Sequence, residues 1–224
     1  MSKTLGILGL GSYSTLYYIE QLNKSYLQKQ GGYSTFPFKM LNTNFNTINT
    51  LLPNTSSALD QIVAEYIEEL EQLNINAILV PNITLHETLD RLEIQLPIHH
   101  PVRLTRQKVA EEKCKEAVVF GSYYTMDSDY LRSAFKTANI ILVPPSASDA
   151  EFIDLVRRKV YQQEESPEMI QQFNEMVNQY ADKHAVIIAC TELSVALRVK
   201  HKHIFDMAAI QIESAINNNP NLNG

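Results

Sequence analysis

The apolar run Ala185-Val186-Ile187-Ile188 stops at Ala189-Cys190-Thr191-Glu192, and a helix-compatible stretch from Leu193 to Leu197 follows. A short apolar run closed by small and polar residues reads as a parallel strand, buried on both faces, that delivers a side chain at its carboxyl end. In open α/β sheets that end is where ligands bind. A thiol placed there is either a reactive group or a small core hydrophobe.

The same alternation runs through the chain. Leu5 to Leu8 is a strand, followed by a glycine turn and a helical pattern through Leu16, Ile19 and Leu22. Gln28 to Thr35, with Gly31-Gly32, reads as a loop, and Phe36 to Leu41 as a second strand ending in Asn42-Thr43-Asn44. Ser56 to Leu73 carries Leu59, Ile62, Val63, Tyr66, Ile67 and Leu70 at amphipathic spacing. Ala77 to Val80 is a third strand, closing on Pro81-Asn82, and Pro97 to Pro101 reads as a crossover.

The pattern then restarts. Helix is expected over Leu104–Lys113, Asp129–Lys136, Asp149–Gln163, Pro167–Lys183 and Ala208–Ile216. Strand is expected over Ala117–Phe120, Ile140–Val143, Ala185–Ile188 and His203–Phe205, and the tail from Asn217 is polar. Strands alternating with helices predict an α/β fold of two similar halves with mostly parallel sheets. The boundaries are expected at 1–100 plus 207–224 for one half and 101–206 for the other. An internal echo supports the pairing, since Ile78 to Leu85 lines up with Val186 to Leu193 and sets Asn82 against Cys190.

Composition narrows the function classes. A net charge of −6, with Lys and Arg scattered, argues against a nucleic-acid surface. No run approaches the roughly 18 apolar residues of a membrane span. The N-terminus enters a strand directly and is broken by three glycines, Gly6, Gly9 and Gly11, which is not a signal-peptide pattern. Cys114 and Cys190 give neither a disulfide framework nor a metal cluster. A cytoplasmic enzyme or binding protein is the expectation. The glycines do not form a dinucleotide fingerprint, because Ser14 stands where the last glycine would be. The turn suits a carboxylate or phosphate of a small ligand better.

Several segments together resemble the aspartate/glutamate racemase family, whose relatives include hydantoin racemases and arylmalonate decarboxylases. Leu5 to Thr15 is similar to its opening glycine-rich loop, and Asn44-Phe45 to its second-strand polar stop. Pro81-Asn82-Ile83-Thr84-Leu85-His86 resembles its Pro-Cys-Asn-Thr-x-His motif, and Gly121 to Thr125 its Ala-Thr-x-x-Thr segment. Ala189-Cys190-Thr191-Glu192-Leu193 closely resembles Gly-Cys-Thr-Glu-Leu, and Asp206 the aspartate before the final helix. The resemblance implies an active site in the cleft between two α/β halves, a final helix returning to the first half, and a homodimer. It also implies a reaction that needs no pyridoxal phosphate or other cofactor, on a small carboxylate or amino-acid substrate. Two family cysteines flank the substrate Cα, one thiolate removing the α-proton while the other thiol protonates the opposite face.

Here the first cysteine is replaced by Asn82, whose amide can hydrogen-bond a carboxylate or hold a water but cannot act as a general base. Cys114 lies at the wrong end of a strand to serve. A symmetric two-cysteine mechanism is therefore excluded. Three readings follow. Cys190 works one face of a racemase while Thr84, His86 or a water held by Asn82 works the other. Alternatively, Cys190 alone supports a decarboxylase or isomerase of a small dicarboxylate. The third is a binder without chemistry. By resemblance and residue type, Ser12, Thr15, Asn44, Ser122, Thr125, Thr191 and Glu192 are the substrate-binding candidates. The family's substrate arginine has no counterpart in Leu51 to Asn54, and Arg103, Lys159 and His99 are the alternatives.

Overall fold

The structure, a computed structural model, describes residues 4–217; the polar tail expected beyond Asn217 lies outside them. The chain forms two compact units. The first runs to His100 and regains the chain at Gln211, and the second is Pro101–Ile210.

In the first unit the order is β1 (Leu5–Gly9), α1 (Ser12–Gln30), β2 (Phe38–Asn42), α2 (Asn46–Asn49), α3 (Ser57–Glu71), β3 (Ala77–Leu79) and α4 (His86–Leu89). The three strands are all parallel, in the order β2-β1-β3. The central β1 is buried throughout, as an apolar run covered on both faces must be. Helix α3 explains its own position: Ser56 accepts from the Leu59 N–H at 3.1 Å, and Leu59, Val63, Ile67 and Leu70 turn one stripe into the core.

The second unit contains α5 (Pro101–Glu111), β4 (Glu116–Phe120), α6 (Tyr123–Met126), α7 (Asp129–Lys136), β5 (Ile141–Leu142), α8 (Ala147–Gln162), α9 (Pro167–Ala181), β6 (Ala185–Ile188), α10 (Thr191–Ala196) and β7 (Ile204–Asp206). The last helix, α11 (Met207–Asn217), carries the chain across the boundary. Its sheet is again parallel, ordered β5-β4-β6-β7. Serines cap most of its helices, Ser128, Ser146 and Ser166 each accepting the N–H three residues on.

The two sheets repeat one design. Each places its first strand centrally, its second on one side and its third on the other. The echo extends to single residues. Ile78 bridges Ile98 in parallel, its N–H donating to Pro97 O at 2.9 Å, and Val186 pairs Ile204, its N–H donating to His203 O at 2.7 Å. The alignment of Ile78 with Val186 thus falls on the same rung in both units, and Ile98 is a one-bridge counterpart of β7.

Element ends differ from expectation where caps decide them. Helix α1 runs on to Gln30, and the chain leaves it only at Gly31 and Gly32, which take φ of 69° and 61°. Helix α5 begins at Pro101 rather than Leu104, since a proline is tolerated in a first turn. The short α2 and α6 were not expected; four residues carry too little periodicity to register.

Within the first unit, fully buried Gln211 ties three segments together. It accepts from the Tyr18 hydroxyl at 2.7 Å and donates to His99 O at 2.6 Å, with Val80 O at 3.5 Å. Gln211→Leu removes the bond from the Tyr18 hydroxyl and leaves the His99 carbonyl unpaired in a dry interior. A loss of about 1–3 kcal/mol for each group left unpaired is expected in urea unfolding, with Tyr18→Phe costing less.

Candidate active site

In the second unit, β4 and β6 pair from Ala117↔Ala185 to Phe120↔Ile188, and Ala189 N–H adds a bond to Phe120 O at 2.8 Å. Residues that follow the two strands therefore emerge at one edge of the sheet. After β4 comes Gly121, then Ser122, which caps α6 by accepting from Thr125 N–H at 3.2 Å; the two hydroxyls stand 2.9 Å apart. After β6 comes Cys190, extended at φ −150° and ψ 133°, which opens α10 without a side-chain cap. Thr191 and Glu192 form its first turn, with Thr191 buried.

The thiol is held as a thiol. Cys190 Sγ–H donates to Glu192 Oε2 at 2.7 Å. Burial, and then the neighbouring Glu192 charge, push its pKa well above the ordinary value, while the Arg157 guanidinium pulls the other way. The helix behind it is pinned from two sides. Asn174 on α9, itself buried, donates to Ala196 O at 3.0 Å and accepts from the N–H groups of Arg198 and Val199. Ser194 Oγ lies 2.8 Å from Asp206 Oδ1 and 3.3 Å from Cys190 O. Asp206 accepts Ala208 N–H at 2.9 Å, so it caps α11, and its burial raises its pKa.

The first unit gathers the other nominated residues at the carboxyl edge of its own sheet. Ser12 opens α1 and is exposed. Thr15 is buried, and its Oγ1 accepts from Leu10 N–H at 3.2 Å, closing the glycine turn. Asn44 Oδ1 accepts from Asn46 N–H at 3.1 Å, a local turn contact. Asn82 Oδ1 accepts from Leu85 N–H at 3.1 Å, and half-buried Thr84 stands between them in sequence. A glycine makes room at each central strand end. A Cβ on Gly9 would lie 3.2 Å from Thr15 Cγ2, and one on Gly121 3.0 Å from Thr125 Cβ. Each glycine lets the following helix bring a threonine down onto the sheet edge.

His86 does not suit the proton-carrying role expected of it. The side chain has no exposed surface, and its Nδ1 lies 2.8 Å from Asn82 O. Burial first, and then nearby His100 at a ring distance of 4.7 Å, lower its pKa to about 3. A neutral ring donating from Nδ1 to that carbonyl positions Asn82. Of the alternative cations, His99 is buried beside Ser214 with its pKa lowered to about 4 by desolvation. Lys159 is paired with Glu164 at 2.7 Å, and Arg103 lies on α5, which packs on α7 and β7. Cys114 precedes β4, at the end of the strand away from Ser122.

The residue that sequence reading missed is Arg157. The visible signal was Asp154-x-x-Arg157-Arg158, an i, i+3, i+4 charge pattern on an otherwise ordinary helix. Among the described residues no group of three or more His, Cys, Asp or Glu side chains is arranged to hold a metal ion. No described helix is long and apolar enough to cross a membrane.

The sequence matches the Asp/Glu/hydantoin racemase family over residues 7–215. The chain belongs to that family. It stands among isomerases, as the resemblance implied. The fold is shared with an aspartate racemase homologue from Pyrococcus horikoshii OT3, with a TM-score of 0.80, 19% identity, and coverage of 96% of this chain and 98% of that one. The Picrophilus torridus aspartate racemase is similar at a TM-score of 0.72 and 19% identity, over 96% and 94% of the two chains. A maleate isomerase from Pseudomonas putida S16 gives 0.59 and 10%, over 96% and 92%. No curated protein matches the sequence significantly.

Two measurements follow from the charges in this racemase-family chain. In the unfolded chain His86 and His99 titrate near the ordinary 6.5, above their folded values of about 3 and 4. The unfolded state therefore binds more protons below pH 6.5, and stability should fall as pH drops from about 6.5 toward 4. His86→Leu and His99→Leu should each flatten that slope in denaturant titrations at stepped pH. Glu192→Gln removes the carboxylate that disfavours the thiolate, so iodoacetamide should alkylate Cys190 at a lower pH than in the native protein.

Proposed function

We propose that this protein is a cofactor-independent racemase-type isomerase that moves a proton at the carbon next to a carboxylate. Its substrate in this reading is aspartate, glutamate or a similar small acid. Cys190 is the proton carrier, and the observation that supports the role is its 2.7 Å hydrogen bond to Glu192 at the end of a buried strand. As an acid, the thiol protonates a carbanion and becomes a thiolate. As a base, it first passes its proton to Glu192, and the thiolate then takes the proton from the substrate Cα, leaving the electron pair delocalised into the carboxylate. Ser122, Thr125 and Thr191 supply hydroxyls for that carboxylate. Homodimeric assembly and a cytoplasmic location belong to the same proposal, by family resemblance.

Racemisation also needs a proton carrier for the opposite face. Asn82 has its Oδ1 engaged by Leu85 N–H, and its amide is neither an acid nor a base near neutrality. His86 is neutral and enclosed. Thr84, or a water, is left for the role. This scarcity favours a second reading, in which Cys190 is the sole proton carrier in a decarboxylation or isomerisation of a dicarboxylate. That a maleate isomerase has this fold is compatible with it.

Solvent-deuterium NMR on a panel of amino acids and dicarboxylates separates the two readings. The native protein should incorporate deuterium at Cα, and Cys190→Ala should lose at least about a hundredfold in rate. Incorporation with loss of optical purity supports the racemase; a deuterated product of one configuration supports the single-thiol enzyme. Turnover retained by Cys190→Ala would remove the thiol from both. Ligand-induced stabilisation without any product would mark a binder.

A further inference from the structure

The second unit's sheet carries a row of unpaired ammonium groups along its amino-terminal edge. Its four strands are all parallel, so the residues that precede them meet at one end, away from Ser122 and Cys190. Lys136 closes α7 ahead of β5, Lys113 and Lys115 precede β4, Lys183 precedes β6, and Lys200 and Lys202 precede β7. Each is exposed, and none has a hydrogen bond or ion pair among the described residues. Every other described lysine is engaged. Lys24 holds Glu20, Lys29 holds Asn217, Lys39 holds carbonyls beyond the end of α3, Lys159 holds Glu164, and Lys108 is partnered as well. Adjacent strands stand about 4.8 Å apart, so the row extends across roughly 14 Å.

Helix dipoles account for part of it. Lys113, Lys136 and Lys183 lie at or just past the carboxyl ends of α5, α7 and α9, where cations are favoured. Lys115, Lys200 and Lys202 have no such reason. The last two stand in the loop from α10 to β7, which Asn174 holds by the N–H groups of Arg198 and Val199. Glu111, Glu112, Glu116 and Asp182 are interspersed, but the lysines outnumber them, and Glu116 is drawn to His184 at 3.2 Å. No exposed aromatic side chain lies in these segments to stack a base or anchor a pocket.

The first unit carries the opposite charge on one helix. Along Ser57–Glu71, α3 has Asp60, Glu65, Glu68, Glu69 and Glu71 and no Lys or Arg. Glu65, Glu68 and Glu69 are exposed, and Glu68 and Glu69 have no partner among the described residues. Like charges three and four positions apart repel, so this face costs stability until cations meet it. Their spacing of about 5–6 Å is close to the step between adjacent strands in the lysine row. Each face also has apolar surface, with Ile62 and Tyr66 half-buried on α3 and Ile141 exposed at the start of β5.

We propose that the acidic face of α3 in one copy of this chain seats on the lysine row of a second copy. The dimer implied by resemblance specifies no surface, whereas this contact does, and it is independent of the chemistry at Cys190. Joining unlike faces is heterologous: a two-fold axis makes the contact twice in a closed dimer, and otherwise it propagates. Exposed ion pairs are individually weak and screened by salt, so the association should be salt-labile.

Sedimentation velocity of the full chain over a concentration series tests it. The native protein should associate at low salt and lose at least about tenfold in affinity at about 1 M salt, where charges reach only about 3 Å. Lys200→Glu with Lys202→Glu, and separately Glu68→Lys with Glu69→Lys, should each leave monomers. An equimolar mixture of the two variants should associate again, because each then offers the other an unlike face. All four positions are exposed, and thermal unfolding of each variant serves as the folding control. A native protein that stays monomeric at low salt, an assembly indifferent to salt or to either double reversal, or a mixture that fails to associate would each overturn the proposal.

Discussion

The parallel ladder between β4 and β6 is the constraint on which the second unit's chemistry depends. Its rungs keep the two strands in register to their last residues, Phe120 against Ile188. Whatever follows each strand must then emerge side by side. Ser122 and Cys190 each stand two residues past that last rung, although 68 positions separate them in the chain (190 − 122). Because both strands are buried on both faces, the polar groups of this region have only the strand ends to occupy.

From that edge the packing behind the thiol acquires its purpose. A six-residue helix such as α10 has little stability of its own. Asn174 and the Ser194–Asp206 contact fix its two ends, which in turn fixes Glu192 within reach of the thiol. Helix α8 brings the opposing charge. The ionisation of the thiol is therefore opposed by a carboxylate and favoured by a guanidinium.

Much of this was legible in the residues, for identifiable reasons. Strand ends such as Ile188-Ala189-Cys190 were readable because an apolar run meeting polar residues is a local signal. The Ile78/Val186 echo was readable because both units use one strand order. Helix ends set by caps or by single glycines and prolines were less so, as at Gln30 and Pro101, because one residue decides them. Arg157 escaped because the Asp154-x-x-Arg157-Arg158 pattern looks like any solvated helix face. Its importance arises from α8 packing against α10, and that is a property of tertiary structure. His86 misled for the converse reason. Its residue type suggests acid–base work, but complete burial removes the charged form that such work requires.

Asn82 and Cys190 occupy equivalent positions after equivalent strands and meet opposite demands. A residue there can cap the helix that follows or keep its side chain for chemistry, and the two uses compete. Asn82 holds the turn that leads into α4: its Oδ1 takes Leu85 N–H, a bond an asparagine makes well and a cysteine makes poorly. Cys190 does not cap, and its helix starts without side-chain help. A hydrogen bond of this kind contributes about 0.5–1.5 kcal/mol. The first unit has taken that stability, with His86 buried beneath Asn82 to hold its carbonyl. The second unit forgoes it and keeps a thiol whose proton is already directed at an acceptor. The asymmetry between two otherwise matching halves therefore has a physical form, with a side chain holding a turn in one and a thiol paired with a carboxylate in the other.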